Sequence, residues 1–269
     1  MLPSSFVPNG TAIMVPKTSD GRVLFAIPWK GRTIVGTTDT PMENIDEDPK
    51  PLDEEIDFIL QNANRYLEKS VDRSDVLSVY AGLRPLVRPP KGSGNTATIS
   101  RDHTIQISDT NLITIAGGKW TTFRKMGEDT IDRAIQVTAL EPKPCRTQSL
   151  PLHGASQDKD HTPENWKTYG SDAVKLQSLV EETPSLGESL HPTLPYTKAE
   201  IVHAIREEMA RTVEDLLSRR TRVLIQDAKA AMEVAPIVAK ILTQERGKDE
   251  TWAAKAVDEF NKIAERYLP

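Results

Sequence analysis

Residues 113–131 read ITIAGGKWTTFRKMGEDTI. The β-type run 113–116 predicts a buried strand, and the two glycines after it allow positive φ angles and close approach to the backbone. Thr121 or Thr122 is a good N-cap for the helical pattern that follows. Free N–H groups at a helix N-terminus attract negative charge, and Lys119 adds a cation there. The stretch predicts an anion-binding turn or, alternatively, an ordinary strand-to-helix turn with a surface lysine.

Two arginines elsewhere bear on this choice. Arg84 follows a glycine and precedes a proline at a predicted strand end, and Arg101 lies at another strand junction. Arginine can bind a phosphate in a bidentate manner, so a small anionic ligand is one interpretation. The other is a solvated arginine or, for Arg101, a pair with the adjacent Asp102. Spacing alone does not show whether Arg84, Arg101 and Lys119 converge.

The first third of the chain has the pattern of strands and turns, followed by a helix. Turn residues separate three short β-type runs, which predicts an antiparallel meander. An acidic start at Pro51 and an apolar stripe that reaches Leu67 predict a helix. The predicted strands are 12–15, 22–27, 32–36, 76–80, 96–100 and 104–107.

The character of the chain changes near residues 141–144, where two prolines lie in a polar segment. We place a domain boundary there, which divides the chain into 1–142 and 143–269. The second part is predicted to be helical. Thr197 and Glu200 form a capping box before an apolar repeat that extends to Leu216. Further helices are predicted over 227–243, kinked or split at Pro236, and over about 249–267.

Composition excludes several classes of protein and site. The 269 residues carry a net charge of −5, which gives no basic footprint for nucleic acid. No apolar run approaches the roughly 18 residues that span a bilayer. The single cysteine, Cys145, excludes an internal disulfide, and the five histidines lack metal-ligand spacing. A soluble globular protein without a structural metal is expected.

Several blocks of the sequence form a recognisable set. They are residues 25–29, 31–40, 80–86, 99–102 and 117–124. In order and spacing these blocks resemble one family, the FAD-dependent glycerol-3-phosphate dehydrogenases, and the Arg-Arg-Thr-Arg run at 219–222 resembles that family's C-terminal domain. Members of the family open with a G-x-G-x-x-G turn that holds the ADP part of FAD, and this sequence has none. We therefore expect a C-terminal portion of such an enzyme.

The resemblance implies a fold and an activity. The fold would be α+β, with a mixed sheet that belongs to a glutathione-reductase-like FAD fold, followed by an α-helical C-terminal domain. The activity would be oxidation of sn-glycerol 3-phosphate to dihydroxyacetone phosphate, with FAD as cofactor and quinone as electron acceptor. Family members act at a membrane surface, so a cytoplasmic protein peripheral to the inner or plasma membrane is expected. The resemblance leaves open whether the protein forms a homo-oligomer.

The resemblance also assigns site residues. Arg84, Arg101 and Lys119 would bind the substrate, and Lys119 and Arg84 would act in catalysis. The turn and the start of the helix would face the flavin, where a positive helix end would stabilise the anionic reduced ring. The general base is not identified, because His103 fits a structural hydrogen bond better than a catalytic role. The expected cofactor-binding residues are Gly117, Gly118, Lys119, Trp120, Thr121 and Thr122.

Three alternatives concern the chain's role and the arginines of its tail. A related flavin amine or amino-acid oxidase shares the glycine turn, but its substrates are carboxylates, whereas three cations suit a dianion better. A non-catalytic fragment would act through its helical tail as an interaction module, and an isolated portion is expected to associate or dissolve poorly. The arginines at 219, 220 and 222 fit interdomain salt bridges better than a phosphate or anionic-lipid site.

Overall fold

The computed structural model describes residues 1–44, 46–84, 87, 102–155 and 162–269. Two compact units make up the chain. The first combines Met1–Gly82 with Ser156–Pro269, and the second is Leu83–Ala155. The predicted division at residues 142 and 143 stays a prediction.

The first unit contains a four-stranded sheet in the order β1-β4-β3-β2. Its strands are β1 (Leu2–Pro3), β2 (Ile13–Val15), β3 (Leu24–Trp29) and β4 (Arg32–Gly36). The pairs β2–β3 and β3–β4 are antiparallel, which confirms the predicted meander. Every strand pair among the described residues is antiparallel, whereas the resemblance implies a mixed sheet.

The first unit also contains helices and shorter helical segments. The first unit contains α1 (Asp53–Ala63), α3 (Ala173–Glu182), α4 (Lys198–Arg206), α5 (Val223–Gln226), α6 (Ala228–Arg246) and α7 (Glu250–Ala264), with a 3-10 segment Glu164–Asp172 and a π-helical segment Asp215–Arg220. The helix predicted after Pro51 is therefore present as α1, and its acidic first turn suits the positive end of the helix dipole. Of the described helices, none is long and apolar enough to cross a membrane.

The strand predicted over residues 76–80 is wrong. Val76 and Ser78 are buried, whereas the residues between and after them are less so, which is why the sequence has the pattern of a strand. The backbone groups of this segment bond to three separate segments instead of one neighbouring strand. Leu77 donates to the Met1 carbonyl and accepts from the Ala228 N–H, and Val79 donates to the Tyr267 carbonyl. The segment thereby joins the N-terminal residues to the C-terminal helices.

The largest core lies among the helices from residue 190 onward. The predicted capping box at the start of α4 is confirmed, because the Glu200 carboxylate accepts from the Thr197 N–H at 2.7 Å. Asp227 caps α6 by accepting from the Ala230 N–H at 3.1 Å. The helix α6 continues past Pro236 to Arg246. Of the two predicted alternatives, a kink or a split at this proline, the split is therefore wrong.

The long apolar repeat from Ile201 to Leu216 does not form one helix. Helix α4 ends at Arg206, and Met209 adopts a left-handed backbone with φ 56°. Met209 is 74% exposed, although it occupies one of the apolar positions at helical spacing. Val213 and Leu216 are buried, and they lie beyond the break.

The second unit contains a β-hairpin and a helix. Strands β5 (His103–Ile107) and β6 (Ile113–Gly117) pair antiparallel, and His103 lies opposite Gly117. A 3-10 turn, Trp120–Thr122, leads into α2 (Phe123–Thr138). The prediction of a strand followed by a helix is confirmed, but β6 is half-buried on one face and exposed on the other, not buried throughout.

Candidate active site

The turn after β6 has the backbone that its two glycines predict. Gly117 and Gly118 both have φ +75°, a region that side-chain-bearing residues rarely adopt. A Cβ on Gly117 would lie 2.9 Å from the Asp102 carbonyl oxygen. A Cβ on Gly118 would lie 2.6 Å from the sulfur of Met126. The positive φ therefore favours glycine at both positions, and at Gly117 the backbone oxygen of Asp102 also leaves no space for a Cβ.

The turn projects Lys119 into solvent. Its side chain is exposed, and among the described residues its ammonium has neither an ion pair nor a hydrogen bond. Its backbone is held instead, because the Thr122 hydroxyl accepts from the Lys119 N–H at 3.2 Å and donates to the Lys119 carbonyl at 2.9 Å. A fixed backbone with an unpaired cation is what binding of an external anion requires.

The start of α2 differs from the prediction in detail. The helix begins at Phe123, and Thr122 precedes it without accepting a hydrogen bond from the helix. Its hydroxyl is used on Lys119. The 3-10 turn before the helix satisfies donors at this end, because the Phe123 N–H donates to the Trp120 carbonyl and the Thr122 N–H donates to the Lys119 carbonyl. Trp120 and Phe123 stack with ring centroids 5.7 Å apart, and Trp120 is 86% exposed. The turn thus presents an exposed aromatic face beside Lys119.

The remaining candidate substrate ligands are placed in part. Arg84 lies in the second unit, before β5, and its side chain is exposed. Arg101 lies outside the described residues, as do residues 96–100 of a predicted strand. Asp102, which follows Arg101 in the sequence, lies against Gly117.

His103 is held by a carboxylate that sequence reasoning missed. Its Nε2 lies 2.9 Å from Asp129 Oδ2, and Lys125 donates to the other oxygen of Asp129 at 2.7 Å. The hydrogen bond from Lys125 and its positive charge, with a contribution from His103, hold the pKa of Asp129 below its usual value. The only signal in the sequence for this arrangement was the four-residue spacing of Lys125 and Asp129, which suits an ion pair along one face of a helix. His103 therefore has the structural hydrogen bond that the preferred interpretation predicts.

Two of the three arginines at 219–222 form local ion pairs. Arg219 pairs with Glu214 at 2.6 Å and Asp215 at 3.0 Å. Arg220 lies 3.6 Å from Glu208. These partners are neighbours within the helical part of the first unit, not residues of another domain. Arg222 has no ion pair among the described residues.

Two family profiles match consecutive parts of the chain. The profile described as FAD dependent oxidoreductase matches residues 2–133. The profile described as the C-terminal domain of alpha-glycerophosphate oxidase matches residues 145–253.

Individual relatives agree with these profiles. The mitochondrial glycerol-3-phosphate dehydrogenase of Mus musculus is 38% identical over all of this chain, which covers 39% of the mouse protein. A probable mitochondrial glycerol-3-phosphate dehydrogenase of Caenorhabditis elegans is 41% identical over 91% of the chain and 37% of the worm protein. This chain therefore spans less than half the length of these two relatives.

A solved structure has the same fold. The glycerol-3-phosphate dehydrogenase from Bacillus halodurans, complexed with FAD, superposes with a TM-score of 0.78 at 28% identity. The superposition covers all of this chain and 56% of the Bacillus chain. By sequence along its whole length and by fold, this chain belongs to the FAD-dependent glycerol-3-phosphate dehydrogenase family.

Proposed function

We propose that this chain supplies the substrate-binding and flavin-facing part of an enzyme that oxidises sn-glycerol 3-phosphate to dihydroxyacetone phosphate. The observation that carries the proposal is the turn after β6, where two glycines with φ +75° precede Lys119. The side chain of Lys119 is exposed, and its ammonium has no partner in the part of the chain that the structure describes. The names of the relatives and the FAD in the Bacillus halodurans structure support the same assignment.

The turn fits a flavin by its donor chemistry. The residues that would face it are Gly117, Gly118, Lys119, Trp120, Thr121 and Thr122. Lys119 offers a cation close to the positive end of the α2 dipole, so the site favours negative charge. The exposed Trp120 offers an apolar face to a planar ring. Bound FAD would supply the two-electron acceptor, and these residues would orient it and stabilise its added charge.

The substrate requires cations of two kinds. Its phosphate is a dianion, and arginine binds such groups through paired, directional hydrogen bonds. We assign that role to Arg84 and Arg101. The oxygen on C2 becomes a carbonyl oxygen in the product, and a neighbouring ammonium polarises it. We assign Lys119 to this oxygen and to the substrate, with Arg84 acting beside it in catalysis.

The proposal extends to the whole enzyme and its setting. Residues 1–142 would belong to a glutathione-reductase-like FAD domain and 143–269 to an α-helical domain. Electrons would pass to quinone, so the enzyme would contact the inner or plasma membrane from its surface. The mitochondrial names of the relatives favour an inner-membrane setting. Glycerol metabolism is the physiological context that this reaction implies.

The test is a chimeric enzyme in which this chain replaces the aligned residues of the Bacillus halodurans enzyme. Lys119→Ala should lower kcat/KM for glycerol 3-phosphate by about 10²–10³, the usual effect of removing one charge-stabilising donor. Lys143→Ala is the matched control, since Lys143 is an equally exposed lysine of the same unit outside the turn. Near-normal kinetics in the Lys119 variant would contradict the proposed role.

A further inference from the structure

The side chain of Met126 in helix α2 lies against the turn that contains Lys119. Met126 is the fourth residue of α2, and helical side chains lean towards the N-terminus of their helix, which is where the turn lies. Its sulfur lies 2.6 Å and its terminal methyl carbon 2.9 Å from the point that a Cβ on Gly118 would occupy. The thioether therefore fills the space beside Gly118.

Strand β5 closes the same space from another side. The Cβ of His103 lies 3.3 Å from the point that a Cβ on Gly118 would occupy, and the ring of His103 is bonded to Asp129 of α2. Gly118 thus lies between a residue of β5 and a residue of α2. Strand, turn and helix therefore meet at this one glycine.

The preceding glycine is held by different groups. The point that a Cβ on Gly117 would occupy lies 2.9 Å from the carbonyl oxygen of Asp102 and 3.2 Å from a methyl carbon of Val87. Because these two contacts do not involve α2, they fix where the turn begins but not how it is placed against the helix. The contact of Met126 with Gly118, the residue directly before Lys119, supplies that placement.

A Gly-Gly pair needs an external contact of this kind. Glycine reaches many backbone conformations, so two glycines in succession leave the next residue poorly fixed unless neighbouring groups limit the choice. The hydrogen bonds between Thr122 and Lys119 hold the end of the turn to itself and do not tie it to the body of α2. Met126 is the residue through which the helix limits Gly118.

Met126 does not belong to a larger core. None of residues 123–138, all of which the structure describes, is fully buried, and the hydrophobic clusters formed by the described residues do not include Met126. Two other apolar side chains of α2, those of Phe123 and Ile131, are more than half exposed. The packing of Met126 is thus a local contact with the turn, so the effect of removing it should be found in the turn.

We propose that Met126 is a positioning residue whose thioether holds Gly118 and thereby sets where Lys119 lies relative to the flavin and the substrate. This inference rests on the proposed function of the turn. Met126 acts through Gly118 and is assigned no contact with either reactant. A displacement of about 1 Å at a catalytic group can cost about 10² in rate, so a single packing contact is sufficient to matter.

The position of the turn is measured first, without activity. The full chain is labelled with 5-fluorotryptophan, and a Trp120→Phe variant assigns the signal of Trp120 among the four tryptophans. Met126→Ala should shift or broaden this signal, whereas Met126→Leu, which conserves apolar volume, should leave it close to that of the natural protein. Ile131→Ala is the matched control, because it removes an exposed apolar side chain from the same helix.

The consequence for catalysis is measured in the chimeric enzyme. Met126→Ala should lower kcat about tenfold and change KM by less than about threefold, because a misplaced Lys119 loses an interaction that is made in the transition state. Met126→Leu should keep most of the rate, and Ile131→Ala should keep all of it. In a Lys119→Ala background, Met126→Ala should lower kcat by less than about twofold, since the residue that it positions is gone. A merely structural role would give the same loss in both backgrounds.

The outcomes separate this inference from the proposed function. Near-normal kinetics of Lys119→Ala would contradict the proposed function, and the Trp120 signal would still test the contact of Met126 with the turn. A Trp120 signal that Met126→Ala leaves in place overturns the inference. A kcat that Met126→Ala lowers equally in both backgrounds, or not at all while Lys119→Ala is itself impaired, overturns it as well. If Met126→Ala does not fold, Met126→Val shortens the side chain with less loss of volume and takes its place in each comparison.

Discussion

His103 Nε2 and Asp129 Oδ2 are 2.9 Å apart, which ties strand β5 to helix α2 directly beside the Gly117–Gly118 turn. Lys125 and His103 keep the pKa of Asp129 low, so the carboxylate is ionised near neutral pH and accepts the hydrogen. Nε2 must then carry the hydrogen of this bond, which leaves Nδ1 as the ring nitrogen that can accept a proton. The geometry gives His103 a positioning role for the hairpin that leads into the turn.

This role predicts measurable coupling between the two residues. A double-mutant cycle with His103→Ala and Asp129→Ala should give a coupling free energy of about 0.5–1 kcal/mol for unfolding in urea. Asp129→Ala removes the ion pair with Lys125 whether residue 103 is histidine or alanine, so that loss cancels in the cycle. The control cycle pairs His103→Ala with Asp132→Ala, an exposed acid of the same helix, and should give no coupling. Equal coupling in both cycles would contradict the positioning role.

Three glycines of the second unit should respond differently to alanine. Gly117→Ala meets a backbone oxygen at 2.9 Å in a left-handed conformation, and it should cost about 2 kcal/mol or more in unfolding free energy. Gly118→Ala meets the flexible end of Met126 at 2.6 Å and the Cβ of His103 at 3.3 Å. It should cost less, about 1–2 kcal/mol, because the Met126 side chain can move.

Gly127 supplies the matched control for this series. It lies inside α2, and a Cβ there would meet nothing within 4 Å. Gly127→Ala should therefore stabilise the protein by about 0.5–1 kcal/mol through helix propensity. Chemical denaturation of the three variants measures their unfolding free energies and so their order of stability. If Gly117→Ala proved as stable as Gly127→Ala, the backbone described for the turn would be wrong.

Local chemistry explains which features were predictable from sequence. The Gly-Gly pair and the Thr197–Glu200 capping box use contacts between residues at most three positions apart, and both are present as predicted. The segment 76–80 has the alternation of a strand, but its partners, Met1, Ala228 and Tyr267, come from three distant parts of the chain. Periodicity reports burial and cannot report which backbone groups pair.

The candidate site shows the same limit. Lys119 could be singled out because its neighbours in sequence define its turn, whereas Asp129 became visible only when α2 packed beside β5. The contact between Lys30 and Tyr196 spans a longer interval still, because 166 positions separate these two residues in the sequence. Sequence spacing carries no signal for such a contact.

Met209 marks the place where one predicted helix becomes two segments. A substitution at this position should raise the stability of the protein. Its φ of 56° strains a side-chain-bearing residue, and its side chain is 74% exposed, so little packing would be lost. Met209→Gly should raise the unfolding free energy by about 0.5 kcal/mol, since relief of strain exceeds the entropy that glycine adds to the unfolded chain. Met42→Gly, an exposed methionine without a positive φ, should not stabilise. Destabilisation by Met209→Gly would mean that the side chain has a packing role.

The contribution of Glu200 to stability is expected to fall as pH rises, which is unusual for a carboxylate. It is 1% exposed, and burial raises its pKa above the ordinary 4.5, although Thr197 and Tyr169 donate to the carboxylate. The folded state therefore holds this proton more tightly than the unfolded state. The contribution of Glu200 to stability is then greatest below the unfolded pKa and declines as pH rises towards the folded pKa.

The difference between the natural protein and Glu200→Gln isolates this effect from the other carboxylates. Asp129 and Asp215, for example, have lowered pKa values and lose their contributions as pH falls, but they do so equally in both proteins. Measured by urea denaturation from pH 4.5 upward, the stability of the natural protein relative to Glu200→Gln should decline with pH and then level off. Glu207→Gln is the control, because Lys175 lowers the pKa of the Glu207 carboxyl. The stability of the natural protein relative to Glu207→Gln should decrease as pH falls, whereas its stability relative to Glu200→Gln should increase. A Glu200 difference that grew with pH would show that the hydrogen bonds to its carboxylate outweigh its burial.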